Sequence, residues 1–384
     1  MSFSVAERKR RAEALQGIVN ELDLDALVLA GADYRGHKGA LRWIADYNLV
    51  HRYGFAVVAR GGETQLVLPQ NLALGRRSDW DVPMRFERDL RTGLPAALRE
   101  LGPMRRIGIV GLAQAMKVED YLGLRAAFGD ADFVDAQDAF ERARACKSTE
   151  EIEGARESTR IAEACFERLL ELVRPGVSER EVGAAMYERC YALGGEDPLF
   201  LSMYPEQVGD GRVEGRFGAP NDRVLGVGDV LIFSFELVGR LGYWMELARM
   251  VVLGEPDEPT VRMNAAVAAG LDAGARSMRP GVRPDEVQRA ILDAVSAHGA
   301  RSSYWSGHGI GQDVIEEPWL GLDVVQDRDV PSEWVLGEGM VLSSHPYAVD
   351  LDGRSAGYMA NTYVVREGGG EALSDKSLDL YVIA

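Results

Sequence analysis

The sequence predicts an α/β domain followed by a larger α+β domain that holds two copies of one structural unit. Three observations carry this. The chain has 384 residues, more than one hydrophobic core usually organises. Short apolar runs alternate with stretches of helical periodicity up to about residue 140. A motif at Arg174 returns at Arg279, and an internal repeat is the most direct sequence signature of a duplicated fold.

In the first domain, residues 1–140, the apolar runs Ala26–Ala30, Phe55–Val58, Gln65–Leu68 and Ile107–Val110 read as buried strands. Ala6–Leu22, Leu94–Leu101 and Val118–Phe128 carry helical spacing. From Ala139 to Val173 the pattern becomes one long helical stretch that ends at Arg174-Pro175-Gly176, where proline and glycine stop a helix. This stretch leads into the second domain, residues 141–384.

There, Arg174-Pro-Gly-Val-Ser-Glu-Arg-Glu-Val182 is echoed by Arg279-Pro-Gly-Val-Arg-Pro-Asp-Glu-Val287. Each copy is a turn followed by a helix, with acidic residues suited to the helix N-terminus. Gly228-Asp-Val-Leu-Ile-Phe-Ser-Phe-Glu236 is echoed by Gly339-Met-Val-Leu-Ser-Ser-His-Pro-Tyr347, and Gly242-Tyr243 by Gly357-Tyr358. Each half thus runs helices first and a β-hairpin second. Two such halves related by a pseudo-twofold axis would bring equivalent hairpin residues to one cleft, with Ser234 and His345 in matching positions.

A hydrophobic fraction of 46% and a charged fraction of 27% are those of an ordinary globular protein. The net charge of −17 opposes broad contact with nucleic acid or anionic lipid. Cys146, Cys165 and Cys190 lack both the number of a disulfide framework and the close spacing of a zinc site. The N-terminal residues alternate charged and apolar side chains without the apolar core of a signal peptide, and no run of about 18 apolar residues occurs. A cytoplasmic protein with reduced thiols and no membrane partner is expected.

The run Ala143-Arg144-Ala145-Cys146-Lys147-Ser148, the two Arg-Pro-Gly-Val turns, Gly307-His308-Gly309-Ile310-Gly311, Glu317-Pro318, Gly339-Met340-Val341 and Gly242-Tyr243 with Arg249 carry a resemblance. Together they resemble the pita-bread-fold family of creatinase, prolidase, aminopeptidase P and methionine aminopeptidase, over most of residues 140–370. The resemblance implies five ligand positions for two divalent metals, and they fall on Ser234, Glu246, His308, His345 and Ala360. The family's second histidine falls on Ile315, and the catalytic histidine of creatinase falls on Phe217. With Ser234 and Ala360 in place of carboxylates, a two-metal centre is not expected, because the negative charge that a dication pair needs is missing.

A polar cluster remains: Ser234, Glu236, Glu246, His308, His345 and Asn361. Side chains alternate along a strand, so Ser234 and Glu236 share one face and Phe233 and Phe235 the other. Glu246, His308 and His345 form a two-histidine, one-carboxylate set that suits a single Fe, Mn or Zn ion. Without a metal, one histidine would serve as general base and the other as acid, beside Glu246. Residue types alone leave both open. His51 and Arg52 sit where the resemblance implies basic substrate contacts that reach the partner's active site in a homodimer, and an arginine suits a substrate carboxylate. Phe217, Tyr243, Arg249 and Asn361 complete the expected substrate contacts, with Trp244, Trp305 and Tyr204 as apolar walls.

The expected function is a non-peptidase enzyme acting on a small polar, nitrogen-containing and carboxylate-bearing molecule, by C–N bond hydrolysis or elimination. A mononuclear metal oxidase or lyase is one alternative. A binding module without catalysis is another, since this fold also occurs in histone chaperones.

Overall fold

A computed structural model describes residues 2–70, 75–76, 80–207, 213–325, 328–329, 333–351 and 355–384. The chain forms two compact units, Met1–Arg144 with Gln312–Val314, and Ala145–Gly311 with Ile315–Ala384.

The first unit is an α/β layer. Its six-stranded sheet comprises β1 (Ala26–Ala32), β2 (Tyr53–Ala59), β3 (Thr64–Pro69), β4 (Met84–Glu87), β5 (Arg106–Val110) and β6 (Asp132–Asp135), in the order β4-β3-β2-β1-β5-β6. Its main helices are α1 (Val5–Glu21), α2 (Gly39–Ala45), α3 (Leu90–Glu100) and α4 (Val118–Ala127). Apolar residues on both faces of β1 are buried, Leu27 and Leu29 in one cluster and Ala26 and Val28 in another. That is why this strand reads as a continuous apolar run.

The long helical stretch foreseen over Ala139–Val173 is two helices, α5 (Gln137–Ala145) and α6 (Thr149–Leu172). Ser148 starts the second one through a capping box: its side chain accepts from the Glu151 backbone N–H, and the Glu151 carboxylate accepts from the Ser148 N–H. Such a cap is worth about 1 kcal/mol. The Ser-Thr-Glu-Glu signal was present, but continuing apolar periodicity on both sides masked it.

The second unit shows the duplication. After α6 and α7 (Glu179–Ala192) come β7 (Glu196–Gln207), β8 (Val213–Gly218), β9 (Val230–Val238) and β10 (Trp244–Leu253). After α8 (Glu258–Ser277) and α9 (Pro284–Ser296) come β11 (Trp305–Gly309), β12 (Glu316–Gly321), β13 (Val341–Ser344), β14 (Tyr347–Asp350), β15 (Ala356–Tyr358), β16 (Asn361–Arg366), β17 (Gly369–Ala372) and β18 (Tyr381–Ile383). The two five-stranded sheets have matching orders, β8-β7-β9-β10-β18 and β12-β11-β13-β16-β17. The repeated Arg-Pro-Gly-Val turns have a physical reason: Gly176 and Gly281 adopt φ of 93° and 84°, a region that side chains disfavour. At the pseudo-twofold axis the sheets meet through Ala248 and Ala360, which exchange backbone hydrogen bonds of 3.1 and 3.2 Å.

Alternation along β9 then sorts the side chains. Leu231, Phe233, Phe235 and Leu237 enter the core beneath α6 and α7, together with Phe166 and Phe200. Ser234 and Glu236 therefore face the other way, opposite Ala248 and Glu246 of β10 in the antiparallel register.

Candidate active site

Glu246, His308 and His345 converge. One ligand atom from each lies within 4.8 Å of the other two, and all three residues are buried. They arrive on three strands or strand ends: Glu246 on β10, His308 on β11, and His345 just past β13, where its backbone N–H donates to Ser306 O at 2.9 Å. The rings of His308 and His345 are 5.3 Å apart between centroids.

The His308 tautomer follows from its partner. Nδ1 lies 2.9 Å from Gly309 O, and a carbonyl can only accept, so Nδ1 carries the proton and Nε2 keeps its lone pair. Burial first, and then the neighbouring His345, pull the His308 pKa down to about 4. The ring is neutral at ordinary pH, the form in which imidazole binds a metal or accepts a proton.

Glu246 is held on every side. Ser343 Oγ donates to its Oε2 at 2.5 Å and the Tyr358 hydroxyl donates to its Oε1 at 2.6 Å. Its backbone N–H donates to Thr362 Oγ1 at 2.9 Å, and Thr362 Oγ1 donates to its carbonyl at 3.1 Å. Burial works to raise the Glu246 pKa, but His345 and His308, together with the two hydroxyls, hold it below the usual carboxylate value. The carboxylate is charged. Burial, and then the Glu246 charge, push Tyr358 well above an ordinary tyrosine, so it remains a protonated donor.

Ser234 is buried and hydrogen-bonds to Tyr358, and Glu236 acts electrostatically on the same hydroxyl, so both lie beside the cluster. Aromatic rings surround it. Trp305 meets His345 edge-on at 4.9 Å, Trp319 meets His308 at 5.6 Å, and Tyr358 stacks on His345 at 6.0 Å. Phe217 is partly exposed and meets Tyr358 edge-on at 4.7 Å. The Tyr204 side chain lies outside the described residues.

Three expected substrate contacts lie elsewhere. Arg249 shares the opposite face of β10 and donates to four backbone carbonyls, those of Ala248, Ala360, Lys376 and Ser377, at 2.8 to 2.9 Å. It ties the C-terminal segment to the sheet. The Tyr243 hydroxyl donates to Glu151 Oε1 at 2.5 Å, so this ring faces α6. Asn361 neighbours Thr362 on β16, and since Thr362 points to Glu246, Asn361 points away; its Nδ2 donates to Ser374 O at 3.4 Å. Being adjacent in sequence to a site residue reversed the face in the last case.

His51 and Arg52 belong to the first unit and are exposed. Arg52 has a φ of 72°, rare for a residue with a side chain, and its backbone N–H donates to Asp33 Oδ2 at 2.9 Å. His51 Nδ1 is 3.7 Å from the same oxygen.

Tyr358, Ser343 and Thr362 were missed by sequence reasoning, although a signal existed. Each lies two residues from a predicted ligand position, Ser343 from His345 and the other two from Ala360, and on a strand that spacing returns to the same face.

As for metals, the donor set fits one ion: two imidazoles and a charged carboxylate, close together and buried. Among the described residues, these three form the one group of three or more His, Cys, Asp or Glu side chains that comes together this closely.

Comparison with known proteins agrees with this architecture. Residues 153–367 match the model of metallopeptidase family M24, and residues 11–146 match the creatinase/prolidase N-terminal domain. A probable dipeptidase PepE of Mycobacterium tuberculosis is 26% identical over 313 residues, which is 80% of this chain and 76% of the relative. A Xaa-Pro dipeptidase of Lactobacillus helveticus is 25% identical over 272 residues, 70% of each chain. Among solved structures, the X-Pro aminopeptidase of Thermotoga maritima has a TM-score of 0.79 at 20% identity and covers 97% of this chain and 99% of its own. The dipeptidase PepE of Mycobacterium ulcerans has a TM-score of 0.78 at 24% identity, with both chains fully covered. The two-domain pita-bread fold is thus shared with peptidases and prolidases, and the chain belongs to metallopeptidase family M24.

Proposed function

We propose that this protein is a hydrolase or lyase that works with one divalent cation in place of a two-metal centre. Its substrate is a small polar, nitrogen-containing and carboxylate-bearing molecule, cleaved at a C–N bond by hydrolysis or a related elimination. The observation that carries the reading is the approach of Glu246, His308 and His345 donors to within 4.8 Å, beside Ser234 and Ala360 where carboxylates would be needed for a second ion. A bound cation would supply Lewis-acid polarisation of a substrate oxygen. Glu246 and the two imidazoles would hold it. Ser234 and Glu236 would orient the polar part of the substrate from the same face, with Phe217 and Trp305 as walls. His51 and Arg52 are the basic pair proposed for the substrate carboxylate, in a homodimer.

A second reading dispenses with the cation. Two imidazoles 5.3 Å apart, one of them neutral with a defined lone pair, could divide the roles of base and acid across a substrate. Both readings need His345.

The test is turnover. Small N-substituted amino acids, amides and amidines would be screened for release of ammonia or amine, with wild type and His345→Ala side by side. The expected result is turnover by wild type that falls about 10²–10⁴-fold in the variant. Full activity in His345→Ala would overturn the site. Hydrolysis of Xaa-Pro dipeptides at roughly 1 per second or faster, with Mn(II) added, would overturn the non-peptidase reading.

A further inference from the structure

We infer that Tyr358 and Ser343 are positioning residues that set how tightly, and in what geometry, the Glu246 carboxylate takes a divalent cation; this rests on the one-cation reading above. Glu246 stands on β10, in the first half of the duplicated unit, yet the groups that fix it come from the second half. Ser343 on β13 donates to one carboxylate oxygen at 2.5 Å and Tyr358 at the end of β15 donates to the other at 2.6 Å. Thr362 on β16 clips the backbone of the same residue through both its N–H and its carbonyl.

The consequence is geometric. The terminal torsion of a glutamate is broad when nothing restrains it. One hydroxyl on each oxygen removes that freedom and still leaves a lone pair on each oxygen for an ion. Hydrogen bonds to a ligating side chain typically change metal affinity 10–100-fold. Tyr358 is itself fixed, by stacking on His345 with 26° between the planes, by Phe217 at 4.7 Å, and by the Ser234 hydroxyl. A carboxylate can only accept, so the Tyr358 hydroxyl donates to Glu246 and the Ser234 hydroxyl takes the remaining place on the phenol oxygen. The Ser234 position, which carries no ligand, serves the ion indirectly through Tyr358.

Tyr358→Phe keeps the ring and its stacking and removes only the hydroxyl. Ser343→Ala removes the other donor. Tyr363→Phe is the control, because Tyr363 lies on the Asn361 face of β16, away from Glu246. Mn(II) affinity of the metal-stripped full-length protein would be measured by titration calorimetry, together with the visible spectrum of the Co(II) form and the melting temperature of the stripped form. Mn(II) Kd is expected to rise about 10-fold or more in Tyr358→Phe and in Ser343→Ala, with shifted Co(II) bands, and to stay unchanged in Tyr363→Phe. A purely structural role would lower the melting temperature and leave Kd and spectrum alone. Mn(II) binding within twofold of wild type in both site variants would overturn the inference. Should Tyr358→Phe fail to fold, Ser343→Ala, one oxygen smaller, decides alone. A wild type that binds neither Mn(II) nor Co(II) overturns the one-cation reading itself, and this inference with it.

Discussion

Lys147→Met is expected to destabilise the second unit severely, although it lies outside the candidate site. Lys147 Nζ is 2.7 Å from Glu316 Oε2, and the two side chains are only 3% and 2% exposed. At an effective dielectric of about 20, unit charges at that separation attract by roughly 6 kcal/mol. Desolvating each ion costs several kcal/mol, so the intact pair contributes little net stability, but removing Lys147 takes a counter-charge away from a buried carboxylate. The expected loss is about 3–5 kcal/mol at neutral pH. Adding Glu316→Gln should recover at least half of it, since the buried carboxylate charge is then gone as well. Urea unfolding followed by circular dichroism, over the four members of the cycle, measures the coupling. A loss below about 1 kcal/mol in Lys147→Met, or strict additivity in the double variant, would refute the reasoning. The site is connected to this pair, since Glu316 opens β12, whose Trp319 pairs across the ladder with His308.

Two further outcomes follow from the structure and the proposed assembly. Asp257 caps α8 by accepting from the Thr260 N–H at 2.9 Å, and hydrogen bonds from the Thr260 hydroxyl and N–H hold its pKa below the ordinary 3.8. A depressed carboxyl contributes stability above its unfolded pKa and loses it as pH falls through the folded value. Asp257→Ala should therefore cost about 1 kcal/mol at pH 7, with the gap from wild type closing below about pH 4; a gap that is constant with pH would contradict the cap. The homodimer proposed from the His51–Arg52 segment should sediment as a dimer at micromolar concentration, and a monomer would remove that assignment.

Much of the fold was legible because its signals are local or repeated. The runs at Ala26, Phe55, Gln65 and Ile107 are strands that bury apolar side chains, and such runs need no knowledge of partners. The repeated Arg-Pro-Gly-Val turns mark a backbone conformation that both halves require at Gly176 and Gly281. The facing of Ser234 and Glu236 followed from alternation along one strand. What sequence could not supply was the far end of each side chain. Arg249, Tyr243 and Asn361 are polar or aromatic, and close in sequence to site positions, so they read as contacts. Their partners, the carbonyls at 376 and 377, Glu151 and Ser374, are between 13 and 128 residues away. Tyr358 and Ser343 show the converse: plain residues in sequence, they matter because β13 and β15 bring them onto a carboxylate 97 and 112 residues distant.

The most direct test of the central claim is cation stoichiometry, by equilibrium dialysis against Mn(II), Fe(II) or Zn(II) followed by elemental analysis. The account predicts one ion per chain in wild type, none retained in His345→Ala, and one retained with altered reactivity in His345→Glu, where a carboxylate replaces the imidazole as ligand. Two ions per chain in wild type, or an ion count in His345→Ala equal to that of wild type, would contradict it.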